Sequence, residues 1–378
     1  MKVLIINPIL TTAEHGVIRR RPSVMDTMIS NFAMGFCDEG HQVTIVTQDD
    51  FRPTGHEEYP YEILFFKSRC PRVFSPALLP WPMGLKKWLK AHADEYDLVV
   101  ASENFSIATL VAAWVCKRKL VIWQEMSLHQ HKFFKIPSKF WYNVVNRLWM
   151  RDVLVVPRSV AAREFVKPYC LHVTDEIVDN GVNGRMLYPS DERDDAFACL
   201  SQLVPRKRID LIIKRFSKLV VVPGYTHYLL HVMGDGEMAG ALCQQVKDLG
   251  LEQNVIFHGF MRHAEMAGIL RRCVALLVNT SKDLNMVSVT EAIVSGTPVV
   301  MNTMPISAPM VQSRRLGIAR DVWDETDFIK AIQHYDEFPR ACIEARDTLT
   351  SQAGARRMIS LYQAHSHAPE KPALSTPK

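Results

Sequence analysis

The chain of 378 residues is 48% hydrophobic and 22% charged, with 17 Gly and 21 Pro, which excludes collagen-like and low-complexity classes and suits two globular domains. Its net charge of +5 is unevenly divided, with an excess of +6 in residues 1–172 and −1 in the remainder, so the two halves are expected to do different work. Eight scattered Cys without a C-x-x-C pair exclude a zinc module or a disulfide scaffold and predict a reduced, cytoplasmic setting.

In chain order, residues 2–7 (KVLIIN) form an apolar run of buried-strand length, after an opening without a signal-peptide cleavage site. A loop with Gly16 follows, a helical pattern covers 23–37, Gly40 ends it, and 41–47 read as a second strand. Such a βαβ unit is the building block of a parallel sheet with right-handed crossovers. Further strands are predicted at 63–66, 98–101, 120–123 and 153–157. The longest later apolar stretch, 106–116, is far short of the ~20 residues of a membrane span. The second half repeats the alternation, with strands at 197–200, 228–233, 255–258, 275–279 and 299–300 and helices at 209–219, 238–249, 263–272 and 286–295. The fold class is therefore α/β, with two doubly wound parallel-sheet domains. Periodicity lapses over 168–188, and the polar tail from Ala364 is expected to be disordered.

Chemistry concentrates in NTSKDLNMVSVTEAIVSGTPVV, residues 279–300, where a strand ends, a polar loop passes Asp283 to Asn285, and a helix runs to Gly296 and Pro298. The amides at the start of that helix form an anion site. Asp283 before it and Glu291 within it can accept hydroxyl hydrogens on either side of a diphosphate. Taken alone, the D-x7-E spacing is equally met by a helix cap and a surface acid.

This segment resembles the donor-site signature of the family 4 retaining glycosyltransferases, E-x7-E followed by A-x-x-x-G-x-P-V-V, with Asp283 in place of the first Glu. Asp179-Asn180-Gly181-Val182-Asn183 with Leu187-Tyr188-Pro189 is similar to the family's N-G-V-D…F-x-P junction. Residues 203–210 (LVPRKRID) are similar to R-L-V-P-x-K-G, and Gly234-Asp235-Gly236 and His258-Gly259-Phe260 to its G-x-G and F-x-G turns. The resemblance implies a GT-B fold, two Rossmann-like domains facing across a cleft. Implied boundaries are an acceptor-binding domain over 1–172, a nucleotide-sugar-binding domain over 173–343, a helix over 344–362 returning to the first domain, and a disordered tail over 363–378.

The implied activity is metal-independent, retaining hexosyl transfer from a nucleotide-diphosphate sugar to a saccharide or lipid-linked acceptor, in cell-surface polysaccharide or glycolipid synthesis, with no cofactor. Lys207, Gln202 and the segment Leu284, Asn285, Met286 and Val287 would hold the diphosphate, Glu291 the ribose and Asp283 the sugar. Gly16 and Gly234 allow backbone to approach the ligand, and backbone near Met261 reads the base. The family's Arg five residues before Lys207 is Gln202 here, and Arg208 replaces a usual Gly. Many relatives carry a His where this chain has Gln124-Glu125; Glu125 either faces the sugar or acceptor, as a third catalytic candidate, or caps a following helix. His129 and His131 lack further nearby ligands, so no metal site is expected. A nucleotide-sugar isomerase or epimerase of the same fold, and a noncatalytic nucleotide-sugar-binding subunit, remain alternatives.

Between Glu62 and Asp94 lie six Lys/Arg and no acid, interleaved with Phe74, Trp81 and Trp88, and residues 131–142 again join lysines to aromatics. Both patterns suit the anionic inner leaflet of a membrane, with the protein peripheral at its cytoplasmic face, and equally an ordinary core face with solvated lysines. No nucleic-acid-binding motif is present, so nucleic acid is not an expected partner.

Overall fold

The computed structural model describes residues 1–11, 18, 20–25, 27–130, 132–179, 181–282 and 286–367. It divides into two compact units, Met1–Gly181 together with Ser351–Lys378, and Val182–Thr350.

The first unit is built on a seven-stranded sheet of β1 (Lys2–Ile6), β2 (Gln42–Gln48), β3 (Glu62–Phe66), β4 (Leu98–Ser102), β5 (Leu120–Gln124), β6 (Leu154–Pro157) and β7 (His172–Val173). All neighbours pair parallel, in the order β3-β2-β1-β4-β5-β6-β7. Successive residues point to opposite faces, and both faces are covered. Leu4, Ile6, Val99 and Ala101 join one core, while Val3, Ile5, Val100 and Val121 join the other. That is why these strands read as continuous apolar runs. The helix Met28–Asp38 starts where Thr27 Oγ1 accepts the Ser30 amide at 3.2 Å, five residues later than the periodicity predicts.

The second unit repeats the topology with β8 (Ala196–Leu200), β9 (Leu229–Met233), β10 (Val255–Gly259), β11 (Ala275–Val278), β12 (Val299–Met301) and β13 (Gly317–Ala319), in the order β10-β9-β8-β11-β12-β13. Ala196, Ala198 and Leu276 pack into one core and Phe197, Cys199 and Leu277 into the other. The two edge strands absent from the sequence reading, β7 and β13, are two and three residues long. Runs that short carry no readable alternation.

The chain leaves the first unit at Gly181 and returns at Ser351, not at 172 and 343. The helix predicted over 344–362 is two helices: Glu337–Arg346, in the second unit, and Ser351–Ser366, in the first. The break at 347–350 has neither Gly nor Pro to announce it, and Thr350 instead bridges to Val182. Helix continues through 363–366, part of the expected tail, because Ala355 and Met358 anchor it in the core that holds Phe32. Gly35 permits the crossing of the helices Met28–Asp38 and Ser351–Ser366: a Cβ there would stand 2.2 Å from the Ser351 carbonyl oxygen.

Candidate active site

In the second unit a cavity of about 350 Å³ opens at the carboxyl ends of β8, β9 and β10. Four of the donor-site candidates, Gln202, Gly234, Met261 and Glu291, line it together with His263 and Phe260. Gly234 has φ +138°, and a Cβ on it would stand 1.9 Å from the Ser201 carbonyl oxygen, so the turn after β9 closes on the turn after β8 only with glycine.

Glu291 is the decisive side chain. It lies on the helix Val287–Val294, is 5% exposed, and receives His263 Nε2 at 3.0 Å from Oε1. It is neither a cap nor a solvated surface acid. His263 begins the helix His263–Leu270 and was not singled out in the sequence, where nothing links it to a glutamate 28 positions on.

Lys207 ends the short turn Pro205–Lys207 and is half-buried. Burial, with Arg206 alongside, pulls its ammonium down to about 8. The Arg206 carbonyl accepts the Ser281 amide at 2.9 Å and the Thr280 hydroxyl at 3.1 Å, tying this turn to the segment that leads into the Glu291 helix. Arg206 also reaches Gln202 Oε1 at 3.4 Å. Arg208 occupies the left-handed region at φ +50°, which accounts for the glycine of the family pattern. Met286, the N-cap residue, is 6% exposed and offers no side-chain acceptor to the first turn, and Val287 opens the helix half-exposed. Asp283, Leu284, Asn285 and Gly16 lie outside the described residues, as does Asn180 of the junction motif.

The first unit has its own cavity, of about 380 Å³, at the carboxyl ends of β1, β4, β5 and β6. Glu125 lines it, and Arg158 Nη1 stands 2.6 Å from Glu125 Oε2. No helix starts at Glu125 for it to cap; the following residues are irregular to 130. Gln124 is fully buried and structural: its Oε1 accepts the Asn104 amide at 3.0 Å, and its Nε2 donates to the Met126 carbonyl at 3.0 Å. His129 is committed to Ser138 Oγ at 3.0 Å and Tyr169 Oη at 3.3 Å. Among the described residues no group of three metal-ligating side chains converges.

The two basic aromatic stretches differ. Phe74, Trp81 and Trp88 pack half-buried against the core, so the first stretch is mainly a core face. In the second, Phe134 is 92% exposed, and Ile136 and Phe140 are likewise exposed along with Lys139; beyond that stretch Arg147 and Leu148 are exposed too. No helix among the described residues is long and apolar enough to cross a membrane.

The decisive comparison concerns the second unit, where residues 183–346 match the model for glycosyl transferases group 1. Over that segment the second unit is similar in sequence to the group 1 glycosyltransferases. It is 25% identical over 228 residues to the O-antigen chain mannosyltransferase RfbU of Salmonella typhimurium, a match covering 58% of this chain and 62% of the relative. Its fold matches that of HepE from Anabaena in complex with UDP, at a TM-score of 0.65 and 15% identity over 96% of this chain and all of that one. Sucrose-phosphate synthase from Thermosynechococcus elongatus gives 0.62 and 14%, over 97% of this chain and all of that one. The fold is that of the GT-B glycosyltransferases. Glu291, Lys207, Gln202, Gly234 and Met261 all fall inside the segment that carries the family match, whereas Glu125 and Gly16 fall outside it.

Proposed function

We propose that this protein is a group 1 glycosyltransferase that moves a hexosyl residue from a nucleotide-diphosphate sugar to a hydroxyl of a saccharide or lipid-linked acceptor, with retention and without a metal ion, in cell-surface polysaccharide or glycolipid synthesis. The buried Glu291, held by His263 on the wall of the cavity beyond β8–β10, carries the reading, because a desolvated carboxylate oriented by a neighbour is suited to gripping a pair of ribose hydroxyls. The mannosyltransferase relative and the UDP complex of HepE support the same class of substrate.

The leaving group is a nucleoside diphosphate whose negative charge grows as the glycosidic bond breaks. Lys207, half-buried and with its ammonium destabilised by burial, gains from such an anion and returns that gain as leaving-group stabilisation. Gln202 and the amides around Leu284 to Val287 hold the phosphates, Asp283 holds the transferred sugar, and Gly234, Met261 and Gly16 let backbone approach the ligand. The acceptor hydroxyl enters on the leaving group's face and passes its proton to a phosphate oxygen. The first unit takes the acceptor. The exposed apolar residues of 134–148, interleaved with lysine and arginine, favour docking on the anionic cytoplasmic face of a membrane, where lipid-linked acceptors reside.

A thermal-shift screen of the full chain against a panel of nucleotide sugars tests the reading. At least one donor should raise Tm by mass action, and the shift should disappear in Glu291→Ala and Lys207→Ala. Near-normal transfer by both variants would reject the assignment.

A further inference from the structure

The cavity of the first unit contains a carboxyl group that the donor chemistry does not use. Glu103 follows β4 and lies in the left-handed region at φ +68°, a conformation that a side-chain-bearing residue keeps only when its surroundings impose it. A dense set of buried bonds holds it there. Its amide donates to the Trp123 carbonyl at 3.1 Å, and its own carbonyl accepts Thr109 Oγ1 at 2.7 Å. The next residue, Asn104, is fully buried and donates to Asn146 Oδ1 at 2.7 Å. The carboxylate then accepts the Glu125 amide at 2.8 Å and the Met126 amide at 3.1 Å, which leaves acceptor capacity directed at the cavity that Glu103 lines.

The charges of this cavity set the class of ligand. Among its described lining residues the carboxylates are Glu103 and Glu125 and the only cation is Arg158. The Arg158 guanidinium is already committed: its side chain is 9% exposed, paired with Glu125 and laid 4.3 Å over the Trp123 ring. A carboxylate or phosphate entering here would meet Glu103 with no uncommitted cation among the described lining residues. Much of the remaining wall, including Leu10, Leu79, Phe105 and Met126, is apolar and suits the C–H face of a sugar ring, while Asn7, Thr11 and Gln130 add uncharged polar groups for its hydroxyls. The position also fits, since β1 and β4 are where the strand order reverses, and ligands of such sheets gather beyond the carboxyl ends at that point.

We infer that this cavity receives an uncharged sugar ring, the terminal residue of the acceptor, and that Glu103 is the specificity-determining residue that binds its hydroxyls and turns away uronic acids and phosphorylated sugars. The inference rests on the assignment of the acceptor to the first unit.

Saturation-transfer NMR on the full chain tests it, with the neutral methyl glycosides of mannose, glucose, galactose and rhamnose set against methyl glucuronide, methyl galacturonide and mannose 6-phosphate. At least one neutral glycoside should bind, about tenfold or more tighter than every anionic probe, a ratio equal to ~1.4 kcal/mol. Glu103→Gln should erase most of that discrimination. Glu125→Gln, which leaves both amides held by Glu103, should reduce it in the same direction, and it serves as the measurement should Glu103→Gln fail to fold. Binding of an anionic probe as tightly as any neutral one, no binding of neutral glycosides, or unchanged discrimination in the folded variants would overturn the inference. Displacement of the neutral glycoside by UDP alone would instead overturn the assignment of the acceptor to this unit.

Discussion

Two glutamates line cavities beyond the carboxyl ends of two sheets of the same strand order, and their partners differ. Glu291 has a histidine at 3.0 Å and shares its unit with the cationic turn of Arg206 and Lys207. Glu103 has backbone amides and a second carboxylate, and burial together with the charge of Glu125 raises it to about 7. One topology thus carries two carboxylate-bearing cavities, which we propose take different ligands, a nucleotide sugar in the second unit and an uncharged sugar ring in the first. Regional net charge does not foretell this: the half with the excess of +6 houses the carboxylate-lined cavity, because its other lysines and arginines lie mostly on the surface.

The sharpest way to break the comparison is to remove the groups assigned to the donor. Lys207→Ala, which deletes a charge-stabilising contact, and Glu291→Ala, which deletes the ribose grip, are each expected to lower kcat/KM for the donor about a hundredfold. His263→Ala should act through Glu291 and weaken nucleotide-sugar binding about tenfold by calorimetry, the cost of one hydrogen bond to a charged group. His263→Gln, which keeps a donor, should recover part of that loss.

Effects on the other glutamate are smaller and appear in stability. An acid raised in the fold binds more protons folded than unfolded, so the contribution of Glu103 is fully present below its ordinary value of 4.5 and is lost as pH rises through about 7. Urea unfolding between about pH 5 and pH 8 should show a fall on the order of 1 kcal/mol that Glu103→Gln flattens. A wild-type stability independent of pH across that window would remove the contrast between the two sites. Smallest is Arg208→Gly, which relieves a left-handed backbone at the start of the helix Ile209–Leu219 and should stabilise by a few tenths of a kcal/mol, up to ~1, in the same assay.

The unequal legibility of the two sites in the sequence has the same physical origin. Hydrophobic runs exposed the long central strands, and the helix 209–219 is observed over those same residues, because burial on both faces writes itself into composition. Glu291 was legible because a contiguous segment carries both its helix and the glycine and proline that end it. Its partner His263 was not, since a pairing between two helices leaves no periodic trace. Glu103 was invisible for a further reason: nothing in the residues Ser102-Glu103-Asn104 states that the middle one adopts positive φ, which is imposed by bonds from Thr109, Trp123 and Glu125. The break before Ser351 was missed because two helical patterns joined by four ordinary residues look like one.

The return of the helix Ser351–Ser366 to the first unit has a consequence for how the protein is made. As the ribosome releases the chain, the first 181 residues emerge with the groove around Gly35 and Phe32 bare, and 169 residues of another unit must follow before the segment that fills it exists. During that interval the nascent chain presents apolar surface of the kind chaperones protect. A stop codon placed just before Ser351 would leave the groove permanently open, so a truncation distant in sequence from every cavity residue would act as a folding lesion of the amino-terminal half.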